Sequence, residues 1–582
     1  EIMCVLTLLL LSRHREDEAE AVVNDALEIY GKLAVSAEDK TIPLAGTAST
    51  LIISGRMLSL QDRLLEAETA FKGALEIYRG LAQTDPDAYR KRVGHTLHRL
   101  AFILFRRHKI DSTWEVLREE FDIFNELSNT SPLVYRKDLA RVLGSIAYLH
   151  FCTHNSREAE TKLLESLKLF TELMSEAPKA YSDSVANRLN DLGRILRETN
   201  RHEEAEIKFT EALEIFQQLS LDSPEVYSVG ECASCQVSIT LQELGHQFAI
   251  TNQLAKAEKV YQDALKIATD IERNLPHHRH TFLVSRVKHD FSIALKRSNR
   301  LQEAEEMLLE ALQGYRTLCS RAPEAYSHVL ASGLNNYANL LRRQCRFRDA
   351  EKMLNEALEL YEKLSQETPQ LFLHHYAALL NNHGLLLKDL ESNASAKTSL
   401  EKSLEICRGL TKEAPDLYLS QTASVLNNLS YLLKNSSNQT GAEEFSMEAI
   451  QIRRALAAEV PSVHLPGLAN SLNNYGIILA ESDLIEDAEK TFQEAIELGQ
   501  ELLDSSKNSP MFAESCVAPL HNLLLLLSKH KKDSKRIKDI KNSLLDLGSG
   551  KLPSDEWSWN TEEEDLWFHE VFYHWVDCPF CV

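Results

Sequence analysis

This sequence has little glycine, no net positive charge and few long apolar runs. Glycine accounts for 20 of 582 residues, about half its usual share, while Leu, Ala and Glu recur throughout, so helices are favoured and a turn-rich all-β fold is excluded. The chain has 64 Lys and Arg against 86 Asp and Glu, a formal net charge of −22. We therefore expect no nucleic acid partner and no insertion into a membrane, because nucleic acids and anionic membranes attract cationic surfaces.

Signals for export and for enzymatic chemistry are also lacking. The apolar run at residues 2–11 is short, has no basic segment before it and is followed by Arg13 and Arg15, so it suits neither a spanning helix nor a signal peptide. The 10 cysteines are scattered, which is typical of a reduced, cytoplasmic protein. No nucleotide loop, nucleophile elbow or catalytic triad stands out. We expect a non-enzymatic protein without a cofactor or a bound metal.

What the sequence does have is a long internal repeat. Aligning the chain on Glu-Ala-Glu, followed seven residues later by Ala-Leu-Glu-Ile-Tyr or a variant, gives one anchor position in each period, mostly 46 residues apart. The anchors are Ala19, Ala67, Thr113, Ala159, Ala205, Ala257, Ala304, Ala350, Ala396, Ala442 and Ala488. Two further markers keep the same phase: a proline 19 residues after nine of the anchors, and Leu-Asn-Asn-x-small 16 residues before several of them. A period of this length with helical patterning indicates a solenoid.

Each period contains the patterns of two amphipathic helices. Before the anchor Ala350, the residues Leu334, Tyr337 and Leu341 share an apolar face. From the anchor onward, Ala350 and Ala357 share another. In several periods the phased proline follows Ser, Thr or Asp, which predicts that it begins a helix at the first position. The sequence therefore predicts an all-α fold of about ten to eleven antiparallel helix pairs.

These markers resemble the tetratricopeptide repeats, in particular the long-period kind with Leu-Asn-Asn-Leu-Ala and Glu-Ala-Glu signatures that is similar to the kinesin light chain groove. The resemblance covers about residues 1–530 and implies a right-handed superhelical solenoid with a concave groove. Standard repeats of this family have about 34 residues, so the longer unit predicts longer helices, of roughly 18 to 20 residues each.

The register also predicts where the array is interrupted and where it ends. The longest step places an insertion near residues 228–240, which we expect to be a loop with incidental cysteines. Thr113 and Trp114 depart from the repeat, so a local distortion is expected there. The chain opens in the middle of a helix pattern, which suggests that sequence is missing upstream. Residues 531–582 are basic and then rich in tryptophan, and they either cap the array or begin a truncated domain.

The recurring asparagines are the main candidates for a binding site. Asparagine is only a middling helix former, so its recurrence in mid-helix needs a reason. The resemblance implies that these residues face the groove and hold the backbone of an extended peptide, for which a side-chain amide has both a donor and an acceptor. The candidates are Asn190, Asn335, Asn336, Asn381, Asn382, Asn427, Asn428, Asn473, Asn474 and, more weakly, Asn522. The alternative is a buried ladder in which the amides join neighbouring helices.

Four cations lie about two helical turns beyond these asparagines, at Arg197, Arg342, Lys388 and Lys434. On the inner wall of an acidic protein they would select an acidic peptide. The alternative is that water solvates them at the ends of their helices.

The sequence is most consistent with a scaffold that binds a protein or peptide segment in the concave groove, since a solenoid has an extended surface on which many weak contacts add. Two alternatives remain open. The chain is the sensor or autoinhibitory arm of a larger signalling protein whose effector domain lies outside it, or it is a self-assembling structural rod.

Overall fold

The computed structural model describes residues 15–36, 39–222, 233–274, 277–435, 438–505, 510–531 and 534–546, and these residues contain helices and turns but no strand. The helices are α1 (Glu16–Ser36), α2 (Thr41–Leu60), α3 (Leu64–Thr84), α4 (Pro86–Arg106), α5 (Ile110–Thr130), α6 (Pro132–Cys152), α7 (Ser156–Glu176), α8 (Pro178–Glu198), α9 (His202–Asp222), α10 (Ala233–Ile250), α11 (Leu254–Asn274), α12 (His278–Arg297), α13 (Leu301–Arg321), α14 (Pro323–Arg343), α15 (Phe347–Glu367), α16 (Pro369–Asp389), α17 (Asn393–Glu413), α18 (Pro415–Asn435), α19 (Gln439–Glu459), α20 (Pro461–Glu481), α21 (Ile485–Ser505), α22 (Pro510–Leu526) and α23 (Ser534–Asp546). A short π-helical segment, Leu527–Lys531, follows α22.

Successive helices pack as antiparallel pairs because short turns separate them. Each helix contacts the next from α1 to α13 and from α15 to α23. We call the even-numbered helices A helices and the odd-numbered ones B helices. From α2 to α21, the turn from an A helix to its B helix has three residues, as at 61–63. Its middle residue has a φ between 57° and 62° wherever a positive φ is seen. The all-α fold of ten to eleven helix pairs is confirmed over the described residues.

The chain divides into two compact units. Unit 1 runs to Leu330 and unit 2 begins at Ala331, so the boundary lies within α14. Most helices have 21 residues, slightly more than expected, as in α4 and α16. None of the described helices is both long and apolar enough to cross a membrane.

The anchor residues of the sequence pattern form the core between the helices of each pair. All ten anchor alanines and Thr113 are fully buried, with 0% exposure. The small residue that ends the Leu-Asn-Asn-x-small marker lies on the facing A helix and lets an aromatic ring approach it. A Cβ atom added at Gly193 would lie 2.6 Å from the ring of Phe209 on α9. Both small positions therefore serve close packing of the two helices.

Seven of the nine phased prolines begin A helices, as predicted: Pro86, Pro132, Pro178, Pro323, Pro369, Pro415 and Pro461. Proline suits this position because its missing N–H would have no partner inside the helix. Among the described cap candidates, Asp85 accepts a hydrogen bond from the Ala88 N–H at 3.1 Å, whereas Ser131 and Thr368 make no such bond. The remaining two prolines, Pro224 and Pro276, lie outside the described residues.

One local expectation was wrong and another was wrong in part. Helix α10 begins at Ala233, so the part of the predicted insertion from 233 onward is helical, while residues 228–232 lie outside the described residues. The distortion expected at Thr113 is absent, because α5 is an unbroken helix of 21 residues. Thr113 stays in the core by donating a hydrogen bond from Oγ1 to the Lys109 carbonyl oxygen at 2.8 Å. The start of the chain, 1–14, and the tryptophan-rich tail lie outside the described residues.

Part of the predicted basic tail forms a helix that continues the pairing. Ile540 and Leu544 of α23 pack into the apolar cluster that contains Leu520 and Leu523 of α22. The cation Arg536 pairs with Glu489 on α21. Helix α23 therefore covers apolar surface of the last A helix.

Unit 1 also contains a contact between helices that are far apart in the sequence. The turn after α2 meets the start of α12 and the first turn of α14 around one buried carboxylate, and we call this the Asp62 contact. Arg106 Nη2 donates to Asp62 Oδ1 at 2.7 Å, His278 Nε2 lies 2.9 Å from Oδ2, and the Tyr326 hydroxyl donates to Oδ2 at 3.3 Å. Burial alone would raise the pKa of Asp62, but Arg106 and His278 hold that pKa well below its usual range.

Two further pairs support the same meeting of helices. Arg107 Nε donates to Glu324 Oε2 at 2.9 Å, and the rings of His108 and His328 meet edge to face with centroids 5.2 Å apart. Burial lowers the pKa of each of these histidines to about 3, so both rings are neutral at physiological pH. Repeats of a solenoid usually contact only their neighbours, so this contact is an exception to the repeat.

Candidate functional site

The asparagines of the A helices in unit 2 form a continuous ladder of side-chain hydrogen bonds. The second asparagine of each helix donates its Nδ2 to Oδ1 of the first asparagine on the preceding A helix. The bonds are Asn382 to Asn335, Asn428 to Asn381 and Asn474 to Asn427, each at 2.9 Å, and Asn522 to Asn473 at 2.8 Å. One residue type in one register thus links five consecutive A helices, α14 to α22.

Bonds within a helix add to this ladder. Asn335 Nδ2 donates to Asn336 Oδ1 at 3.2 Å, and Asn473 Nδ2 donates to Asn474 Oδ1 at 3.3 Å. All of these asparagines are buried, with exposures of 0 to 2%. A buried amide that loses its partner costs about 1–3 kcal/mol, so the ladder favours the one stacking register in which every bond forms.

The structure therefore brings the predicted binding residues together, but it places them between A helices. This is the geometry of the ladder alternative. A peptide could reach these amides only if neighbouring A helices separated. The role of the asparagines in binding a peptide stays a prediction.

Each of the four predicted cations also has an acidic partner, so none depends on water alone at the end of its helix. Arg342 Nε lies 2.5 Å from Asp389 Oδ2, and Lys434 Nζ lies 3.1 Å from Glu481 Oε1. Lys388 Nζ lies 3.4 Å from Asp389 Oδ1 and 4.6 Å from the centroid of the Tyr431 ring.

Arg197 follows the same rule in unit 1, where its Nη2 donates to Glu243 Oε2 at 2.8 Å. Arg197, Arg342 and Lys434 each pair with an acidic residue of the next A helix. These cations therefore stabilise the stacking of A helices, and their selection of an acidic peptide stays a prediction.

In unit 1, charged and amide side chains take the register that the asparagines hold in unit 2. Asn190 donates to Thr240 Oγ1 at 2.7 Å, and Arg194 Nε donates to Glu243 Oε1 at 2.9 Å. Gln242 is central to the next step. Its Nε2 donates to Asp290 Oδ2 at 2.5 Å and its Oε1 accepts from Arg286 Nε at 2.8 Å. Helices α8, α10 and α12 are thus joined by a buried polar network.

The sequence contains a signal for this network that the asparagine pattern alone does not reveal. Gln242 and Glu243 lie 15 and 14 residues before their anchor, Ala257, which is the position of the asparagine pair. Asp290 lies 14 residues before Ala304. Following the register instead of the residue type would have found all three.

The buried charges titrate in opposite directions. Burial would raise the pKa of Glu243, but Arg194, Arg197 and Arg286 together lower it. Asp290 has less compensation, so burial raises its pKa to about 7. Glu243 is therefore charged at neutral pH, whereas Asp290 titrates near neutral pH.

The fold and this geometry define a class of protein, an all-α repeat solenoid whose A helices are joined through recurring polar side chains. Models of the tetratricopeptide repeat match residues 138–218, 285–323, 330–368, 377–409 and 422–457. The first match spans much of two consecutive pairs of A and B helices, and each of the others covers much of one such pair. The chain therefore contains tetratricopeptide repeats over these residues.

Several solved structures are similar to the chain. BtubC (BKLC) from P. vanneervenii is 20% identical over 44% of this chain and 92% of that one, with a TM-score of 0.35. A Rap protein complexed with competence and sporulation factor is 13% identical over 71% and 99%, with a TM-score of 0.45. A putative kinesin light chain from Podosopora anserina, with nearly identical TPR-like repeats, is 13% identical over 39% and 98%, with a TM-score of 0.29. These similarities do not show what this chain binds.

Among curated proteins, no sequence matches the chain.

Proposed function

We propose that the chain is a non-enzymatic scaffold that binds a segment of another protein. The observation that supports this function most is the array itself, in which tandem tetratricopeptide repeats stack as helix pairs of nearly constant length. A solenoid of this kind has an extended surface, along which many weak contacts to a partner add.

The recurring polar residues have a structural explanation that requires no enzymatic function. The asparagines bond to one another across A helices, and Arg342 and Lys434 pair with acidic residues of the next A helix. Stacking therefore accounts for their recurrence, and no catalytic role is needed to explain it.

Binding in the groove, in the form that the sequence predicts, has a structural cost. Asn336 and Asn382 are 2% and 1% exposed, so a peptide that bonds to these amides must replace bonds of the ladder. Such binding requires neighbouring A helices to separate, and it is therefore expected to loosen unit 2. An acidic partner would likewise compete with Asp389 for Arg342.

Affinity capture from a native lysate, followed by mass spectrometry, tests both levels of this proposal. The full chain is compared with Asn382→Ala, which removes one rung of the ladder, and with Asn355→Ala as a matched control. Asn355 is exposed on the B helix α15. Circular dichroism and urea unfolding of each variant show whether it is folded and how far it is destabilised.

A partner retained by the wild type and Asn355→Ala but lost by a folded Asn382→Ala chain supports binding in the groove. Equal recovery by all three chains, with lower stability of Asn382→Ala alone, assigns the asparagines to the ladder and moves the binding surface elsewhere. A chain that enriches no protein over an unrelated helical control contradicts the scaffold function.

A further inference from the structure

One junction in unit 1 has changed at both positions of an ion pair that recurs in part of the repeat. The residue one position after the anchor is Glu in nine of the eleven periods and Lys in another, but it is Trp114 on α5. In several other periods this Glu pairs with a cation of the following turn, as Glu160 does with Arg201 at 2.6 Å. The residue that corresponds to this cation after α6 is Asn155. Neither position of the pair is therefore charged at this junction.

A third change lies opposite Trp114, on the A helix α6. The residue nine positions before the anchor is Leu or Phe in every other period, and its described copies are buried, as Leu196 and Leu341 are. In this period it is His150, which is half-buried. The rings of Trp114 and His150 meet with centroids 4.6 Å apart at an angle of 62°. Burial lowers the pKa of His150, so its ring is neutral at physiological pH and tolerates apolar neighbours.

These three changes accompany an open cleft of about 490 Å³, which we call the α5–α6 cleft. Its apolar walls are Trp114, Phe121 and Ile146, each half-buried, and His150 lies beside them. A surface depression with aromatic walls fits a side chain of similar character, because its filling removes apolar area from water on both sides.

Opposite charges flank this cleft. Asp111 and Arg118 line it on α5 and are both exposed. Neither makes an ion pair with another residue in the part of the chain that the structure describes. Seven residues of helix separate them, a distance of about 10 Å at 1.5 Å per residue. An extended segment covers this distance in about three residues at 3.3 Å each.

We propose that the α5–α6 cleft is a docking site for an extended segment of a partner protein in which an aromatic side chain lies between an acidic and a basic residue about three positions apart. The aromatic side chain fills the space between Trp114, Phe121 and Ile146, while the acidic residue pairs with Arg118 and the basic residue with Asp111. Aromatic and arginine residues are the groups that most often dominate binding energy at protein interfaces. This inference rests on the proposed scaffold function and names the partner chemistry for one of its surfaces.

Fluorescence polarisation with two labelled peptides tests this assignment on the full chain. The first peptide is Gly-Asp-Trp-Gly-Lys-Gly, and the second has alanine in place of tryptophan. The main variant combines Trp114→Glu with His150→Leu, which returns two of the three changed positions to the residues of the other periods and is therefore expected to fold. The control is Leu133→Glu, which removes another exposed apolar side chain of unit 1, one that is 81% exposed.

The wild type and Leu133→Glu are expected to bind the tryptophan peptide at least tenfold more tightly than the alanine peptide, and the double variant is expected to lose this difference. Equal binding of both peptides by the wild type overturns the proposal, and so does unchanged binding by the folded double variant. If affinity capture still recovers a partner in that case, the scaffold function stands and only the cleft is wrong.

A charge exchange gives a second test that does not depend on the double variant. Arg118→Glu leaves the apolar walls intact and is expected to weaken binding of the tryptophan peptide several-fold. A peptide with Lys in place of Asp is expected to bind Arg118→Glu about as tightly as the original tryptophan peptide binds the wild type. The same peptide is expected to bind the wild type more weakly. A loss that this peptide fails to restore contradicts the assigned contact of Arg118.

Discussion

The Asp62 contact can be weakened by one change that preserves the backbone of its turn. Asp62→Asn removes the carboxylate charge and keeps a residue that adopts a positive φ readily. Asp62 has a φ of 59°, and Asn200, Asn252 and Asn299 occupy the same turn position in other pairs, with φ values of 57° to 60°. Any loss of stability in this variant therefore comes from the tertiary contact.

The size of the effect follows from burial. Asp62 and Arg106 are 8% and 5% exposed, and their charged groups lie 2.7 Å apart. Removing one partner of a buried ion pair costs about 3–5 kcal/mol. Asparagine can still accept a hydrogen bond from Arg106, so we expect the lower end, about 3 kcal/mol.

The pH dependence has a definite sign. The pKa of Asp62 is lowered in the folded chain, so the carboxylate contributes stability above its unfolded pKa of about 4, and this contribution is lost as the pH falls further. The penalty of Asp62→Asn should therefore be largest at neutral pH and should shrink below about pH 4.

Hydrogen exchange measured by mass spectrometry on the full chain is the appropriate assay, because repeat arrays often do not unfold in two states. A loss of about 3 kcal/mol corresponds to roughly 150-fold faster exchange through local opening. We expect it in the turn at 61–63 and at the start of α12, although His278 is far from Asp62 in the sequence.

Asp483→Asn is the matched control. Asp483 occupies the same turn position with a φ of 62°, but its side chain is exposed, so the change should stay within about 0.5 kcal/mol. If Asp62→Asn leaves exchange at the start of α12 unaltered, or if the control has the same effect, the contact does not hold these helices together.

Three further changes test the core and the polar networks. Asn382→Ala should lower the unfolding free energy in urea by about 2 kcal/mol, because a buried amide oxygen loses its donor, whereas Asn355→Ala should not. Burial raises the pKa of Asp290 to about 7, so the folded chain binds a proton that the unfolded chain releases, and stability falls as the pH rises from about 4 to 7. Asp290→Asn should abolish that part of the decline in a pH series of thermal unfolding; an unchanged slope would contradict the raised pKa. Gly193→Ala should destabilise by about 1–3 kcal/mol through its clash with an aromatic ring, while Gly80→Ala, with no atom within 4 Å, should stabilise by about 0.5–1 kcal/mol; equal effects would refute the packing argument.

The fold was predictable because its main constraint repeats. A position such as Ala350 has to be small in every period, since its Cβ lies where two helices meet, and its exposure is 0%. A phased proline such as Pro369 begins its helix because the first position needs no N–H. Each of these rules acts within one pair of helices, so the sequence of one period carries it completely.

The environment of the asparagines was not predictable in the same way. An amide that faces a peptide backbone and an amide that faces another amide both need one donor and one acceptor, so the same residue satisfies both. The choice depends on how far one A helix is shifted against the next. The bond from Asn428 to Asn381 is a consequence of that shift, and no residue within a single period encodes it.

The Asp62 contact shows a second limit. It joins residues more than 200 positions apart, and neither Asp62 nor His278 belongs to a recurring marker. A search for periodic markers passes over such residues, although each is held in a buried contact.

Residues that follow the period and residues that break it therefore carry different information in this chain. Asn382 and Arg342 follow the period, and both are engaged in joining one A helix to the next. Trp114 and His150 break the period at adjacent places on facing helices, where they line an open cleft. Asp111 and Arg118 on its rim have no ion-pair partner among the residues that the structure describes. Stacking explains the first group and cannot explain the second, because ten other junctions stack without an aromatic residue at the position of Trp114. In a repeat scaffold, the search for a partner's contact should therefore begin at a junction where residues on facing helices break the period together.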